Sequence, residues 1–134
     1  MKIKIISIIT SVLILIVCNN RAFSMESTPA EIVLSYFQAC EDGEINKMKS
    51  LITGKFYNRR RALIEANEEY PEFLRNHYFG IWIDIVSSEV DSEKGNAQVM
   101  LKQIFPSGNT VDATLILSKN NDGFWKISNE VMPE

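Results

Sequence analysis

The sequence predicts an α+β fold in which N-terminal helices pack on a curved four-stranded antiparallel sheet, giving a cone-shaped roll. Apolar residues recur at helical spacing between residues 28 and 78, and they alternate with other residues in the segments that follow. Helices therefore precede strands instead of alternating with them. This order is typical of α+β proteins and not of parallel sheets.

The first helix is predicted over residues 29–42. Thr28 can cap its start, Pro29 suits the first helical position, and Glu31 completes a capping box. Gly43 is suited to end the helix because glycine adopts the left-handed conformation at low cost. The predicted helix has one apolar face, because apolar residues occur at positions i, i+3, i+4 and i+7, namely Val33, Tyr36, Phe37 and Cys40.

Two further helices are predicted from the same kind of pattern. The second is shorter and is expected to stop near Gly54, and its apolar residues are Ile45, Met48 and Ile52. The third covers residues 55–67, which are again helical in composition. It contains Arg61 and Glu65 at the i, i+4 spacing of an exposed ion pair, which contributes only a few tenths of a kcal/mol.

Pro71 is expected to interrupt the helical region, because proline disfavours a helical conformation at the residue before it. A short turn of helix is expected to resume through Phe73 and Leu74 and to end near Tyr78. The chain then changes from helical to strand-like composition.

Four strands are predicted after residue 78, because segments rich in β-branched and aromatic residues are separated by polar turns. The run Asn120-Asn121-Asp122-Gly123 is typical of a tight hairpin turn. Short turns between successive strands imply an antiparallel meander. The predicted strands cover residues 79–90, 97–105, 111–117 and 124–128.

Residues 1–24 are predicted to be a cleaved secretory signal. A cationic head precedes the apolar run Ile5–Val17, which is shorter than the roughly 20 residues that a membrane-spanning helix needs. Small side chains at Ala22 and Ser24 match the two positions that signal peptidase recognises. Cleavage after Ser24 leaves Met25 as the mature start.

The mature chain, residues 25–134, is then a single α+β roll domain without a stable membrane span, either periplasmic or secreted. Two alternatives stay open for the leader. Lipoprotein processing at Cys18 is less favoured, because Val17 is bulkier than the residue that usually precedes a lipoprotein cysteine. An uncleaved membrane anchor is the other alternative.

Charge and cysteine content narrow the classes of function. Three of the 14 basic residues and none of the 17 acidic residues lie in residues 1–24, so the rest of the chain carries about −6. A nucleic-acid partner is therefore not expected. Cys40 is the only cysteine after residue 24 and lies on an apolar helical stripe, so we interpret it as a core residue.

Few residues are candidates for chemistry. Asp84, in Ile83-Asp84-Ile85, is a weak candidate for a catalytic base, whereas alternation predicts that Asp112 faces water. With one histidine and one mature cysteine, no metal site is expected, and the sequence contains no phosphate-binding loop or other cofactor motif. We therefore predict no cofactor.

Three residues are candidates for lining a ligand pocket. Tyr36 and Trp82 each carry a polar atom that needs a partner when the ring is buried, and His77 lies at the predicted junction between helix and strand. The basic run from Arg59 to Arg61 spreads over roughly 200° of a helix. It cannot serve one pocket, and we interpret it as part of a charge-paired, solvated helix.

The order of these motifs resembles the small exported bacterial proteins of the nuclear transport factor 2-like (NTF2-like) superfamily, which share the cystatin-like α+β roll. The resemblance covers about residues 28–129. It rests on five short runs taken in order: Thr28-Pro29-Ala30-Glu31, Tyr36-Phe37, Asp42-Gly43-Glu44-Ile45, Met48-Lys49-Ser50-Leu51-Ile52 and Gly123-Phe124-Trp125-Lys126-Ile127.

This resemblance implies a fold in which helices close one side of a curved sheet, often around a pocket, but it does not imply one activity. Three hypotheses follow. The first is a non-enzymatic domain that binds a small apolar ligand or a protein partner through its concave face. The second is an isomerase- or dehydratase-like enzyme that uses Asp84 with Tyr36. The third is an interaction module that pairs through its sheet, as a homodimer.

The signal-peptide hypothesis predicts the mass of the exported protein. Because cleavage is expected after Ser24, intact-mass analysis should give a chain that begins at Met25. A chain that begins earlier, or one that carries the mass of an acyl group at Cys18, would contradict this prediction.

Overall fold

The computed structural model describes residues 26–131, in which four helices are followed by four strands. The strands form one antiparallel sheet in the order β1-β2-β3-β4, and the sheet is not closed into a barrel. The predicted fold class is confirmed. The helices are α1 (Pro29–Asp42), α2 (Ile45–Ser50), α3 (Gly54–Ala66) and α4 (Tyr70–Tyr78), and the strands are β1 (Trp82–Asp91), β2 (Asn96–Ile104), β3 (Thr110–Lys119) and β4 (Trp125–Val131).

The predicted leader lies outside the described residues, and so do Cys18, Ser24 and Met25. None of the helices between residues 26 and 131 is long and apolar enough to span a bilayer.

The start and end of α1 follow the predicted capping pattern. The backbone N–H of Glu31 donates to Thr28 Oγ1 at 3.3 Å, and the N–H of Thr28 donates to a Glu31 carboxylate oxygen at 3.2 Å. Gly43 ends the helix in the left-handed region, with φ of 67°. A Cβ at Gly43 would also lie 2.9 Å from the carbonyl oxygen of Pro71, so glycine permits the close approach of α4.

Several element boundaries differ from the predicted ones, and three of these differences have a physical explanation. Pro71 lies in the first turn of α4 instead of interrupting a helix, because proline needs no N–H partner there. The second helix ends at Ser50, since Ile52 forms a parallel bridge with Ile127 of β4. The first strand begins only at Trp82, because the chain turns through Gly80, whose φ is 69°.

The helices cover one face of the sheet, which we call the inner face, and they leave the other, the outer face, uncovered. Alternate residues of the two central strands point into the core, as their period of two requires. The apolar face of α1 packs on them. Side chains that are buried at this layer are Val33, Tyr36, Phe37 and Cys40 of α1 and Val99, Leu101, Leu115, Leu117 and Ile127 of the sheet.

The two edge strands of the sheet, β1 and β4, differ in their backbone hydrogen bonds. The segment after α2 pairs with β4, because the N–H of Thr53 donates to the carbonyl of Ile127 at 2.8 Å and the N–H of Ile127 donates to Leu51 at 2.9 Å. Among residues 26–131, no backbone group pairs with β1 on the side away from β2. A bulge at Val86 interrupts the register of β1 with β2.

Candidate functional site

The structure does not bring the predicted site residues together. Tyr36 is buried in the core on the inner face of the sheet, whereas Trp82 and Asp84 are exposed on β1. Asp84 points to the outer face, because its neighbours Ile83 and Ile85 both pack against the core. Asp84 and Tyr36 therefore lie on opposite sides of the sheet.

Asp84 belongs to a row of charges on the outer face. It lies opposite Lys102 of β2, and Lys102 lies opposite Asp112 of β3. Asp112 is exposed, as predicted from alternation. The row therefore places one cation between two carboxylates across three neighbouring strands.

His77 is exposed near the end of α4 within a group of aromatic rings. Its ring stacks on Phe73, with centroids 5.7 Å apart, and meets Phe105 edge to face at 5.8 Å. It also meets the ring of Tyr78 edge to face, with the two centroids 4.8 Å apart. The imidazole thus packs against rings of α4 and of the residue that follows β2.

Polar and ionisable side chains converge in the interior, and we call this group the buried polar cluster. It joins three helices to the last strand of the sheet. Its members are Tyr36 and Cys40 of α1, Arg60 of α3, Tyr70 and Tyr78 of α4, and Glu130 of β4.

Arg60 is the centre of the buried polar cluster. One guanidinium nitrogen donates to a carboxylate oxygen of Glu130 at 3.3 Å, and the other terminal nitrogen donates to the carbonyl of Phe56 at 3.1 Å. The guanidinium carbon lies 3.6 Å from the centre of the Phe56 ring, which adds a cation–π contact. Since the two side chains of the ion pair are only 21% and 19% exposed, it is half-buried.

Burial controls the protonation of the cluster. Desolvation raises the pKa of the Tyr36 hydroxyl well above its ordinary value, and it raises the pKa of Tyr78 as well. Desolvation also raises the pKa of the Cys40 thiol to about 12, although the neighbouring Tyr36 hydroxyl opposes the shift. At neutral pH these three groups are protonated and uncharged.

The chemistry available to the cluster is therefore limited. Cys40 is held as a thiol, and the thiolate is the nucleophilic form of cysteine. Of four surface hollows in the described part of the chain, none is lined by Tyr36, Cys40 or Arg60, and one is lined by Tyr70. The arrangement fixes three helices against β4.

Sequence reasoning missed Arg60 as an interior residue because it treated the three arginines as one solvated run. Arg61 does pair with Glu65, at 3.2 Å, as the i, i+4 spacing predicts. A signal was nevertheless present, since Arg60 follows Phe56 by four residues and precedes Ile64 by four. Arg60 therefore lies between two apolar residues on one face of the helix, and this position indicates that its side chain turns inward.

Three hollows on the surface of the described residues have volumes of about 330 Å³ or more, and two of them adjoin the sheet. The outer-face hollow has a volume of about 410 Å³, and its lining includes Val86, Met100, Lys102, Asp112, Thr114 and Val131. The α1–β1 groove has a volume of about 330 Å³ and separates α1 from the free edge of the sheet; its lining includes Leu34, Phe37, Gln38, Glu41, Trp82 and Ile83. Trp82 is thus the only predicted pocket residue that lines either hollow.

Between residues 26 and 131, no group of three or more histidine, cysteine, aspartate or glutamate side chains is arranged so that it could hold a metal ion.

Comparison with known proteins gives similarity at the level of structure. No family model matches the sequence, and no curated protein is significantly similar to it. A SEC-C motif-containing protein from Rhodopseudomonas palustris shares the fold, with a TM-score of 0.59 at 13% identity over 84% of this chain and 85% of that one.

Two solved proteins of unknown function are also similar. One, with a cystatin-like fold, comes from Methylobium petroleophilum, with a TM-score of 0.47 at 10% identity over 78% of this chain and 76% of that one. An NTF2-like protein from Cytophaga hutchinsonii has the same score and identity, over 82% of this chain and 94% of that one. At these identities the similarity concerns the fold alone, and no activity follows from it.

The buried thiol gives a first prediction. Because burial raises the pKa of Cys40 to about 12, the folded protein should react very slowly with a thiol-specific reagent at pH 8, and unfolding in denaturant should release the full reactivity. Mass spectrometry of the labelled peptide separates Cys40 from Cys18. Rapid labelling of Cys40 in the folded protein would contradict the packing described above.

The same burial predicts a loss of stability in alkali. The raised pKa values of Cys40 and Tyr36 mean that the folded state holds protons which the unfolded chain releases at lower pH. The free energy of unfolding should therefore fall from about pH 9 upwards, through the range set by the folded-state pKa of about 12. Urea titrations at several pH values measure this fall, and a Cys40→Ala variant should flatten its lower part.

Two neighbouring arginines give a matched pair of variants. Arg60→Met removes the partner of half-buried Glu130, and we expect it to lower the free energy of unfolding by about 1–3 kcal/mol. Arg61→Met removes an exposed pair and should cost about 0.5 kcal/mol or less. Urea denaturation measures both values, and equal losses would show that Arg60 has no special role.

Proposed function

We propose that this chain is a non-enzymatic interaction domain that associates with a second copy of itself through the outer face of its sheet. The observation that carries the proposal is the outer-face hollow, which lies on the side of the sheet that the described helices leave uncovered. The side chains of Val86, Met100 and Val131 line it and are exposed. Contact between two such faces would remove this apolar surface from water, which is favourable by about 25 cal/mol per Å².

The charges of the outer face favour a second copy over an unrelated partner. The row Asp84, Lys102 and Asp112 contains both signs at neighbouring positions. In a two-fold symmetric interface the same surface of both copies is in contact, so that every pair of contacting residues occurs twice. Lys102 of the first copy can then approach Asp112 of the second, while Asp112 of the first approaches Lys102 of the second.

The alternatives have less support. The enzyme hypothesis would need Asp84 and Tyr36 to face one cavity, and the sheet separates them. A small apolar ligand on the inner face would have to displace the packed side chains of the buried polar cluster. We retain export to the periplasm or the exterior as part of the proposal, and its support is the leader sequence alone.

Association through the outer face predicts the effect of a charge at its apolar centre. Met100→Glu should convert a dimer into a monomer, because it would bury an unpaired carboxylate in the interface. Light scattering coupled to size-exclusion chromatography measures the mass. Leu63→Glu, on a helix and similarly exposed, is the control and should leave the dimer intact.

A charge exchange tests the pairing itself. Lys102→Asp alone should weaken the dimer, and adding Asp112→Lys should restore it, since the exchange re-creates opposite charges. A wild-type chain that is monomeric at all accessible concentrations would refute the proposed function.

A further inference from the structure

We propose that the α1–β1 groove is a second, separate binding site, which takes a short extended peptide carrying lysine or arginine as an added strand on β1. The proposal does not depend on the outer face. It rests on three features that coincide at the start of β1: a free sheet edge, an apolar groove beside it, and the carboxylate of Glu41 on the helix that forms the opposite wall.

The free edge supplies the backbone partners. β1 pairs only with β2, and among residues 26–131 nothing pairs with its other side. An edge strand presents unpaired N–H and C=O groups to an incoming strand, and natural sheets usually cover or interrupt such edges. In this sheet the opposite edge is partly covered, because Leu51 and Thr53 pair with β4.

The groove supplies a place for the side chains of the added strand. Its lining includes the buried Phe37, the half-buried Ile83 and the exposed side chains of Leu34 and Trp82. Trp82 is 69% exposed, which is unusual for a residue of its size and gives it the properties of an interface anchor. A peptide strand hydrogen-bonded to β1 would turn alternate side chains towards α1, into this groove.

The helix wall gives the charge preference. Glu41 lines the groove and forms no ion pair within the described part of the chain. Its carboxylate can pair with a lysine or arginine of the added strand. A lysine at each end of a short test peptide allows this pairing for either direction of the strand.

The bulge limits the length of the peptide. The register of β1 with β2 shifts between Ile85 and Ser87, and Val86 is the extra residue. A bulge twists an edge strand and terminates regular pairing beyond it. Only Trp82 to Ile85 therefore offers a regular edge, so that the site fits a peptide of about five residues with a central apolar side chain.

The test uses the purified full chain and the capped peptide Lys-Val-Leu-Val-Lys, whose first, third and fifth side chains would face the groove. Binding is measured by the anisotropy of a fluorescein-labelled peptide. Saturable binding is expected, together with a shift of Trp82 emission to shorter wavelength. The second tryptophan, Trp125, is only 7% exposed and should not respond, so the shift should disappear in Trp82→Phe.

A matched pair of leucines locates the site. Leu34 and Leu63 are 43% and 44% exposed, both on helices, but only Leu34 lines the groove. We expect Leu34→Lys to raise the Kd at least about tenfold and Leu63→Lys to change it less than about twofold. Both variants should unfold at the wild-type temperature. Met100→Glu should leave peptide binding unchanged, which separates this proposal from the outer-face dimer.

Altered peptides separate strand addition from simple apolar contact. Because successive N–H groups of a strand point in opposite directions, two methylated peptides are used: one is methylated at the backbone nitrogens of both valines, and the other at those of the leucine and the second lysine. The peptide that loses its donors to the β1 edge should have a Kd at least about tenfold higher, and so should a peptide with both lysines replaced by glutamate. Equal binding of both methylated peptides, equal effects of Leu34→Lys and Leu63→Lys, or absence of saturable binding would overturn the proposal. So would a wild-type dimer that Leu34→Lys dissociates, because a second copy would then occupy the edge.

Discussion

The packing of α1 across the inner face of the sheet is the interaction on which the other features of this domain depend. Val33, Tyr36, Phe37 and Cys40 form one stripe that is almost wholly buried against alternate residues of β2 and β3. Because this layer is closed, polar groups that remain inside must satisfy one another. Groups that contact other molecules must lie on the outer face or at an edge.

Arg60 shows how the interior accommodates a charge. A buried guanidinium is costly unless it is paired, and here it has a carboxylate, a backbone carbonyl and an aromatic face as partners. These contacts connect α3 to β4, which are distant in sequence. The neighbouring tyrosine hydroxyls and the Cys40 thiol stay neutral because desolvation opposes their ionisation. The cluster is therefore a structural element, although its residue types are those of many active sites.

The two proposed binding surfaces are separate: one is the outer-face hollow and the other is the α1–β1 groove. The outer-face hollow is lined by apolar residues with charges of both signs, which suits association with an identical face. The α1–β1 groove lies at the free edge of the sheet, where the backbone itself can take part in binding. Met100 belongs to one surface and Leu34 to the other, so each can be altered without changing the other.

The sequence by itself determined the class and order of the elements, because capping residues, apolar spacing and turn residues act locally. Thr28, Glu31 and Gly43 set the limits of α1, and alternation identified which residues of β2 and β3 face the core. It also placed Asp112 in water. The tertiary structure decided what lies opposite each side chain: it turned Arg60 inward, separated Tyr36 from Asp84 by the sheet, and left Trp82 beside Leu34 at an uncovered edge. Apart from the helical spacing of Phe56 and Ile64 around Arg60, which is a local signal, those outcomes depend on contacts between segments distant in the chain, and no local pattern specifies such contacts.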